Sequence, residues 1–289
     1  MTTLRLRTAA ISGATGYLGS VIRDRLRVEG WRTIDLVRMG QGETGRRFVL
    51  GLPVEASLLD GVDLLVHCAY DMTLGRPADI WRVNVDGTRR LLELAHSTGV
   101  RRVIVLSSMS AFDGTTQLYG RAKLQIEGYA QQLAACSVRP GLVYGPNAGG
   151  MAGTLSRLVR LPVVPLITPS SYQFTVHEDD LADSIAALAV AKEVPTEPIG
   201  IANPLPVPFR KILDHLARDQ GRQCRYLPVE WRLVQIALSL IEKLPLPQPI
   251  RADSLLGLVR PAPFVPNLGV LQSLGIRLRR FGQPVPPRR

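Results

Sequence analysis

Short apolar runs alternate with helical patterns along the first half of the chain. Residues 4–12, 33–38 and 103–106 are short and largely apolar, as expected of strands buried in a parallel sheet. After the first run, apolar residues recur at helical spacing at Val21, Ile22, Leu26 and Val28. Strands alternating with helices predict an α/β fold with a Rossmann-type, doubly wound parallel sheet.

Three glycines, Gly13, Gly16 and Gly19, separate the first predicted strand from the first predicted helix. Gly13 permits a sharp turn, Gly16 lets backbone amides approach a pyrophosphate, and Gly19 lets the helix pack closely on the sheet. The helix start offers free amides and a positive dipole end to phosphates. The glycines therefore predict a dinucleotide site, with an ordinary strand-to-helix turn as the alternative.

The end of the second predicted strand indicates which dinucleotide binds. An acid there would bind the 2′-hydroxyl of NAD, whereas an arginine suits the 2′-phosphate of NADP. Val37 occupies the acid's position, Arg38 follows it, and Asp35 lies two residues too early. The pattern favours NADP over NAD, and the alternative for Arg38 is a solvated loop charge.

A second candidate site follows the apolar run at 103–106. Ser107 and Ser108 come at its carboxyl end, where ligands lie in open α/β sheets, and Tyr119 and Lys123 share one face of a helix. A cation one turn away would lower the tyrosine pKa from its ordinary value of about 10. The pattern predicts a tyrosine that moves protons, and the alternative is a surface tyrosine above a helix lysine.

Five segments resemble the extended short-chain dehydrogenase/reductase family, the group of NAD(P)-dependent epimerases, dehydratases and reductases. The similarity to bacterial sugar-nucleotide members implies a Rossmann-type fold with a smaller C-terminal substrate-binding lobe. The segments are Ser-Gly-Ala-Thr-Gly-Tyr-Leu-Gly at 12–19, Gly-Val-Asp-Leu-Leu-Val-His-Cys-Ala at 61–69, Asn-Val-Asp-Gly-Thr at 84–88, Arg-Pro-Gly-Leu-Val-Tyr-Gly-Pro at 139–146 and Phe-Thr-Val-His-Glu-Asp-Asp-Leu-Ala at 174–182.

The resemblance implies roles for individual residues. Ser108, Tyr119 and Lys123 would be catalytic, with Ser108 preferred to Ser107 because it precedes Phe112 by four residues. Asn84 would support the sheet. The expected cofactor contacts are Gly13, Thr15, Gly16, Tyr17, Leu18, Gly19, Arg38, Leu52, Ala69, Tyr119, Lys123, Pro140 and Val143. The expected substrate contacts are Tyr70, Met109, His177 and Arg251.

The chain departs from the family pattern at three places. Met109 and Ser110 stand where dehydratases carry an Asp-Glu pair, which disfavours dehydration. The interval from Ser108 to Tyr119 is shorter than in typical sugar-nucleotide epimerases, so one wall of the cleft is trimmed. Gly51-Leu52 replaces an Asp-Leu pair that often contacts adenine.

We predict a dinucleotide-binding domain at 1–165, a substrate-binding lobe at 166–283 and a disordered tail at 284–289. A helix at about 179–192 would return to the first domain. In the lobe, the sequence predicts a helix at 209–219, a strand at 225–229 and an amphipathic helix at 231–244. The last helix would pack in the core or against a subunit, with a membrane surface as the alternative. Arg251 is a candidate diphosphate contact.

The composition of the chain limits the classes of protein to which it can belong. No apolar run is long enough to span a membrane, there is no signal-peptide pattern, and the three cysteines and four histidines are scattered. These features predict a cytoplasmic protein without a metal site. The net charge of +11 is carried mostly by arginine. It fits an anionic, nucleotide-linked substrate or compositional bias, and no nucleic-acid motif accompanies it.

The leading hypothesis is an NAD(P)-dependent C4 epimerase or keto-reductase of a nucleotide diphosphate sugar. A homodimer is the oligomeric state that we consider. The first alternative is an NADPH-dependent reductase of a non-sugar carbonyl, such as a steroid- or flavonoid-like ketone. The second is a non-catalytic dinucleotide-sensing or RNA-associated protein. Retention of Ser108, Tyr119 and Lys123 argues against the second alternative.

Overall fold

The computed structural model describes residues 7–39, 44–146, 148–167, 171–241 and 252–283. The strands are β1 (Thr8–Ser12), β2 (Arg32–Val37), β3 (Gly45–Arg47), β4 (Leu64–His67), β5 (Arg102–Leu106), β6 (Cys136–Pro140), β7 (Leu142–Tyr144), β8 (Val164–Ile167), β9 (Tyr172–Gln173), β10 (Thr175–His177), β11 (Ile199–Ile201), β12 (Val207–Pro208) and β13 (Tyr226–Val229).

The α-helices are α1 (Tyr17–Val28), α2 (Pro77–Ile80), α3 (Asp86–Ser97), α4 (Leu118–Gln132), α5 (Gly150–Leu158), α6 (Glu178–Val190), α7 (Phe209–Arg218), α8 (Trp231–Ile241), α9 (Ala252–Val259) and α10 (Leu268–Ser273). A 3₁₀ turn spans Ala56–Leu59, and a π-helical turn spans Trp81–Val85.

Seven parallel strands form the central sheet, in the order β11-β6-β5-β4-β1-β2-β3. Successive residues of a strand point to opposite faces, so Ile11 packs towards α1 and α6, whereas Ala10 packs towards α3 and α4. Both faces are covered by helices, which explains why the inner strands β1, β4 and β5 are largely apolar. This architecture confirms the predicted doubly wound α/β fold.

The chain reverses its direction of winding between β1 and β4. From β1 it proceeds through β2 to β3 on one side, and then through β4, β5 and β6 on the other. Ligands in such sheets bind at the carboxyl ends of the strands that flank this reversal. The glycine turn after β1 and the serines after β5 both lie at that edge.

Residues beyond 165 complete the central sheet. Helix α6 packs beside α1, where Leu181 and Ile185 share a buried cluster with Ile22 and Leu26. In addition, β11 pairs with β6 at the sheet edge. The second half of the chain thus supplies a strand to the sheet as well as the returning helix that we predicted.

A second buried core forms the smaller lobe. Its buried residues come from α5, β8, α7 and α9 and include Leu155, Val164, Phe209, Leu213 and Leu258. The predicted helix at 209–219 is α7, and the predicted strand at 225–229 is β13. Lys243, Leu244, Arg251 and the tail at 284–289 lie outside the described residues.

Helix α8 carries apolar side chains that remain in contact with solvent. None of its residues is buried, and the side chains of Leu233, Ile236 and Leu240 are largely exposed. Packing in the core, one of the two predicted alternatives, is therefore wrong within the described residues, and the contact with a subunit stays a prediction. No helix in the described part of the chain is long and apolar enough to cross a bilayer.

Candidate active site

The glycine turn between β1 and α1 has the close approaches that its sequence predicts. Gly13 has a φ of +69°, and a Cβ there would lie 3.0 Å from the backbone nitrogen of Ala69. A Cβ on Gly19 would overlap the carbonyl of Gly13. Helix α1 begins after Gly16, which gives it no side-chain cap, and its first turn has no acid. The exposed turn thus leaves a helix start suited to an anionic group.

A buried network holds this turn against β4. Ser12 Oγ accepts hydrogen bonds from the backbone nitrogens of Cys68 (3.1 Å) and Ala69 (3.2 Å), and it lies 2.7 Å from His67 Nδ1. His67 Nε2 lies 2.8 Å from Thr88 Oγ1 on α3. Burial, assisted by the charge of Lys123, lowers the pKa of His67 to about 3. A neutral imidazole therefore links two strands and a helix beneath the turn.

Asn84 holds the loop that follows β4. Its side chain accepts a hydrogen bond from Asp71 N (2.7 Å) and donates one to Asp71 O (3.1 Å), and it is fully buried. The family resemblance implied that Asn84 supports the sheet. Its direct partner is instead the loop backbone, so it fixes the segment that presents Tyr70.

Tyr119 and Lys123 of α4 come together with Tyr70 at the carboxyl end of β5. Lys123 Nζ donates to Leu106 O at 2.6 Å and lies 4.6 Å from the Tyr70 ring centroid and 5.8 Å from that of Tyr119. The two rings meet edge to face at 5.1 Å. A hydrogen bond joins the side chains of Ser108 and Tyr119. The three predicted catalytic residues are therefore neighbours.

The protonation of this group differs from the sequence-based expectation. Burial raises the pKa of Tyr119 to about 12, which the hydrogen bond with Ser108 only partly offsets. Burial also lowers the pKa of Lys123 to about 8. The ammonium lies over the tyrosine ring and binds the Leu106 carbonyl. The expectation that Lys123 lowers the tyrosine pKa is therefore wrong for this arrangement.

Ser107 and Ser108 occupy different surroundings. Ser107 Oγ is buried and has no hydrogen-bonding partner among the described residues, whereas Ser108 is half-buried beside Tyr119. Ser108 Oγ also accepts a hydrogen bond from Ser110 N at 3.1 Å. The position of Ser108 fits the role that the resemblance implies.

Two of the expected cofactor-binding residues, Tyr17 and Leu18, contact other parts of the same chain. Tyr17 donates a 2.6 Å hydrogen bond to Glu178 Oε2 at the start of α6, and Leu18 packs against the core beneath the sheet. Burial and the carboxylate of Glu178 raise the pKa of Tyr17. Tyr17 thus ties the glycine turn to a helix from the second half of the chain.

The remaining expected cofactor contacts lie around the same edge. Arg38 is exposed just after β2, and Thr15 is exposed in the glycine turn. Leu52 is 47% exposed, whereas Val143 is buried in β7. Pro140 ends β6, the strand next to β5. Asp35 accepts a 3.2 Å hydrogen bond from Arg23, in accord with its interpretation as a residue within the strand.

The expected substrate contacts are divided between the cleft and the core. Tyr70 lies beside Tyr119, whereas Met109 packs against Phe174 in a small apolar cluster. His177 is buried and caps α6 by accepting a hydrogen bond from Asp179 N at 3.2 Å. Its position gives it a structural role. Arg251 lies outside the described residues.

One side chain that the motifs did not single out contacts the start of α4. Asp253 of α9 accepts hydrogen bonds from Leu118 N (2.8 Å) and Tyr119 N (3.1 Å). The two partners are 135 and 134 residues away in sequence, so no local spacing indicates the contact. Among the described residues, no group of three or more acids, histidines and cysteines could hold a metal ion.

Comparison with known sequences identifies several relatives. The chain is 31% identical over 189 residues to a ceramide reductase of Caulobacter vibrioides, covering 62% of this chain and 59% of that protein. It is 28% identical over 200 residues to a UDP-glucose 4-epimerase of Streptomyces lividans, covering 54% and 57%. The matched region thus spans under two thirds of the length of these relatives.

Solved structures share the fold. The structure of gox2253 has a TM-score of 0.72 at 20% identity and covers 94% of this chain and 93% of its own. MoeE5, solved in complex with UDP-glucose and NAD, has a TM-score of 0.66 at 22% identity and covers 77% and 85%. The sequence also matches the NAD dependent epimerase/dehydratase family over residues 9–191. That match covers more than half of the chain, which therefore belongs to the NAD dependent epimerase/dehydratase family.

Proposed function

We propose that this protein is an NAD(P)-dependent oxidoreductase that transfers hydride at a carbon bearing a hydroxyl or carbonyl oxygen. The observation that carries the proposal is the contact of Ser108, Tyr119 and Lys123 at the sheet edge that also holds the glycine turn. The cofactor would supply or accept the hydride. The protein would bind the oxygen and move its proton.

The protein's own groups have separable tasks. The amides at the start of α1 would bind the pyrophosphate, and Gly16, which has no side chain to block them, is exposed at that helix start. Ser108 would orient the substrate oxygen, and Tyr119 would exchange a proton with it. Lys123 would bind the nicotinamide ribose from its buried position at the end of β5.

Carbonyl reduction is the direction that we favour. With its pKa raised to about 12, Tyr119 keeps its proton at neutral pH and can donate it to a developing alkoxide. Oxidation of an alcohol would first require loss of that proton. A keto-reductase therefore fits this arrangement better than an epimerase, which must run both directions in each turnover.

For the substrate we propose a nucleotide diphosphate sugar. The similarity to a UDP-glucose 4-epimerase and the net charge of +11 support an anionic, nucleotide-linked compound. The second candidate is a non-sugar carbonyl compound. The similarity to a ceramide reductase and the short segment between Ser108 and Tyr119 favour it.

The first experiment identifies the nucleotide that the protein retains. Purified protein is denatured, and the released nucleotides are measured by mass spectrometry. Stoichiometric NAD would support an epimerase that recycles its cofactor. No retained NAD, together with NADPH binding on addition, would support the reductase. Failure to bind either dinucleotide would overturn the proposed activity.

NADP is the cofactor that we propose, because Arg38 is exposed at the end of β2 and no acid occupies position 37. Arg38→Ala should weaken NADP binding about tenfold or more and leave NAD binding nearly unchanged, since a charged hydrogen bond contributes about 1.5–3 kcal/mol. Isothermal titration calorimetry with both dinucleotides measures this difference. Arg32→Ala, at the opposite end of β2, is the control. Equal losses for both dinucleotides would remove the case for a 2′-phosphate contact.

We also propose that the protein is located in the cytoplasm and that it forms a homodimer. Light scattering on the purified protein tests the second of these directly.

A further inference from the structure

The catalytic helix α4 begins one residue before Tyr119 and does not cap itself. The first amides of any helix have no partner within the helix, and a side-chain oxygen at the N-cap usually binds one of them. The N-cap of α4 is Gln117, whose side chain makes no capping hydrogen bond. The backbone amides of Leu118 and Tyr119 therefore need hydrogen-bond acceptors from another part of the chain.

Asp253 supplies that cap from the smaller lobe. Its two carboxylate oxygens each accept one hydrogen bond, from Leu118 N at 2.8 Å and from Tyr119 N at 3.1 Å. Both bonds are charge-assisted, and a negative charge at this end also interacts favourably with the helix dipole. One of the two bonded amides belongs to Tyr119 itself.

Helix α9 is fixed to the rest of the protein by further contacts. Gln173 Nε2 donates to Gly257 O (3.3 Å) and Leu258 O (3.1 Å), and Arg260 lies 3.5 Å from Thr116 Oγ1. Leu255 is fully buried. The packing of the lobe therefore determines where the Asp253 carboxylate lies, and through it where α4 starts.

We propose that Asp253 is a positioning residue, which sets the orientation of Tyr119 according to the position of the substrate-binding lobe. Asp253 does not need to contact substrate. It holds the backbone of the proton-transferring tyrosine, so that correct packing of the lobe and correct placement of the hydroxyl occur together. The inference rests on the proposed function of Tyr119.

The test compares Asp253→Ala, Asp253→Asn and the double variant Asp253→Ala/Gln117→Asp. Asparagine keeps one accepting oxygen without the charge. Aspartate at position 117 is an N-cap residue that can accept from the amides of Tyr119 or Gly120. Asp219→Ala, an exposed acid at the end of α7, is the matched control from the same lobe.

Asp253→Ala should lower kcat by about tenfold to a hundredfold, because small misplacements of a reacting group have effects of that size. The dinucleotide Kd should stay within about twofold, since the glycine turn is untouched. Asp253→Asn should fall between wild type and Asp253→Ala. The double variant should recover most of kcat, and Asp219→Ala should match wild type. A merely structural loss would affect Kd and kcat together and would not be restored by a cap at position 117.

Amide hydrogen exchange gives a readout that needs no substrate. The amides of Leu118 and Tyr119 should exchange faster in Asp253→Ala, by about tenfold or more, because their acceptors are removed. Unchanged exchange, or wild-type kcat in Asp253→Ala, would overturn the positioning role. If the wild-type protein transfers no hydride from either dinucleotide, the proposed function fails, whereas the exchange measurement still decides whether Asp253 caps the helix.

Discussion

The burial of Tyr119 favours its neutral form. The ring lies against Tyr70, the hydroxyl bonds Ser108, and burial outweighs that hydrogen bond in setting the pKa. A lysine one turn away in sequence does not by itself produce a phenolate, because burial raises the pKa of the tyrosine. The Tyr119 hydroxyl is therefore protonated at neutral pH and can donate its proton.

Tyr119→Phe should abolish turnover while dinucleotide affinity stays nearly unchanged. The substitution removes only the hydroxyl that we propose exchanges the proton, and the ring that packs against Tyr70 is kept. Steady-state kinetics and calorimetric binding of NADP and NAD measure the two effects. Tyr129→Phe, further along the same helix, should behave as wild type. Loss of dinucleotide binding in Tyr119→Phe would mean that the tyrosine has a structural role.

Lys123 should make the stability of the protein depend on pH in the alkaline range. Its pKa falls from an ordinary 10.5 to about 8 on folding, so between these values the unfolded chain binds more protons. The contribution of this group to stability therefore rises with pH from about 8 to about 10.5, by about 3 kcal/mol. Urea unfolding of wild type and Lys123→Met at pH 7.5 and pH 10 isolates this contribution from other titrating groups.

The advantage of Lys123→Met over wild type should shrink by about 2 kcal/mol between pH 7.5 and pH 10, since part of the titration lies outside this range. A difference that stays constant between the two pH values would show that the lysine is already neutral, or fully solvated, in the folded protein.

At the scale of elements, helix α1 lies so close to the glycine turn that its own sequence is restricted. Position 19 faces the carbonyl of Gly13 at a distance that excludes a Cβ, whereas a Cβ on Gly128 of α4 would meet nothing within 4 Å. Two glycines inside helices thus have opposite expected responses to the same substitution.

Gly19→Ala should destabilise the protein and weaken dinucleotide binding, because α1 must move away from the turn. Gly128→Ala should instead stabilise it by about 0.5–1 kcal/mol, the usual gain in an unobstructed helix. Chemical unfolding and calorimetric binding on the two variants measure these effects. Unaltered binding in Gly19→Ala would contradict the close packing between α1 and the turn.

Features set by local spacing were predictable from the sequence, and those set by distant contacts were not. The glycine turn and the Tyr119–Lys123 pair follow from residues within one or two helical turns. The cap from Asp253 joins residues 134 or more positions apart. The neutral state of Tyr119 depends on burial by several elements at once. A spacing pattern contains no information about either.

At the scale of the whole molecule, the two halves of the chain hold each other at several points. Tyr17 in the glycine turn bonds Glu178 of α6. Arg102 of β5 donates from Nη2 to the carbonyl of Ala191, which follows α6, at 2.6 Å. The first and second halves of the chain are therefore joined by partly buried polar contacts.

The pairing of β11 with β6 has a consequence for how the protein unfolds. Since β11 is the outermost strand of the sheet, a fragment ending at residue 165 would expose the whole backbone edge of β6 and the apolar surface under α6. Such a fragment should aggregate rather than fold. The intact chain should unfold both halves in one cooperative transition. In a Trp31→Phe/Trp81→Phe variant, Trp231 is the single tryptophan, and its fluorescence reports on the second half of the chain. This fluorescence and the far-ultraviolet circular dichroism should give the same midpoint in urea.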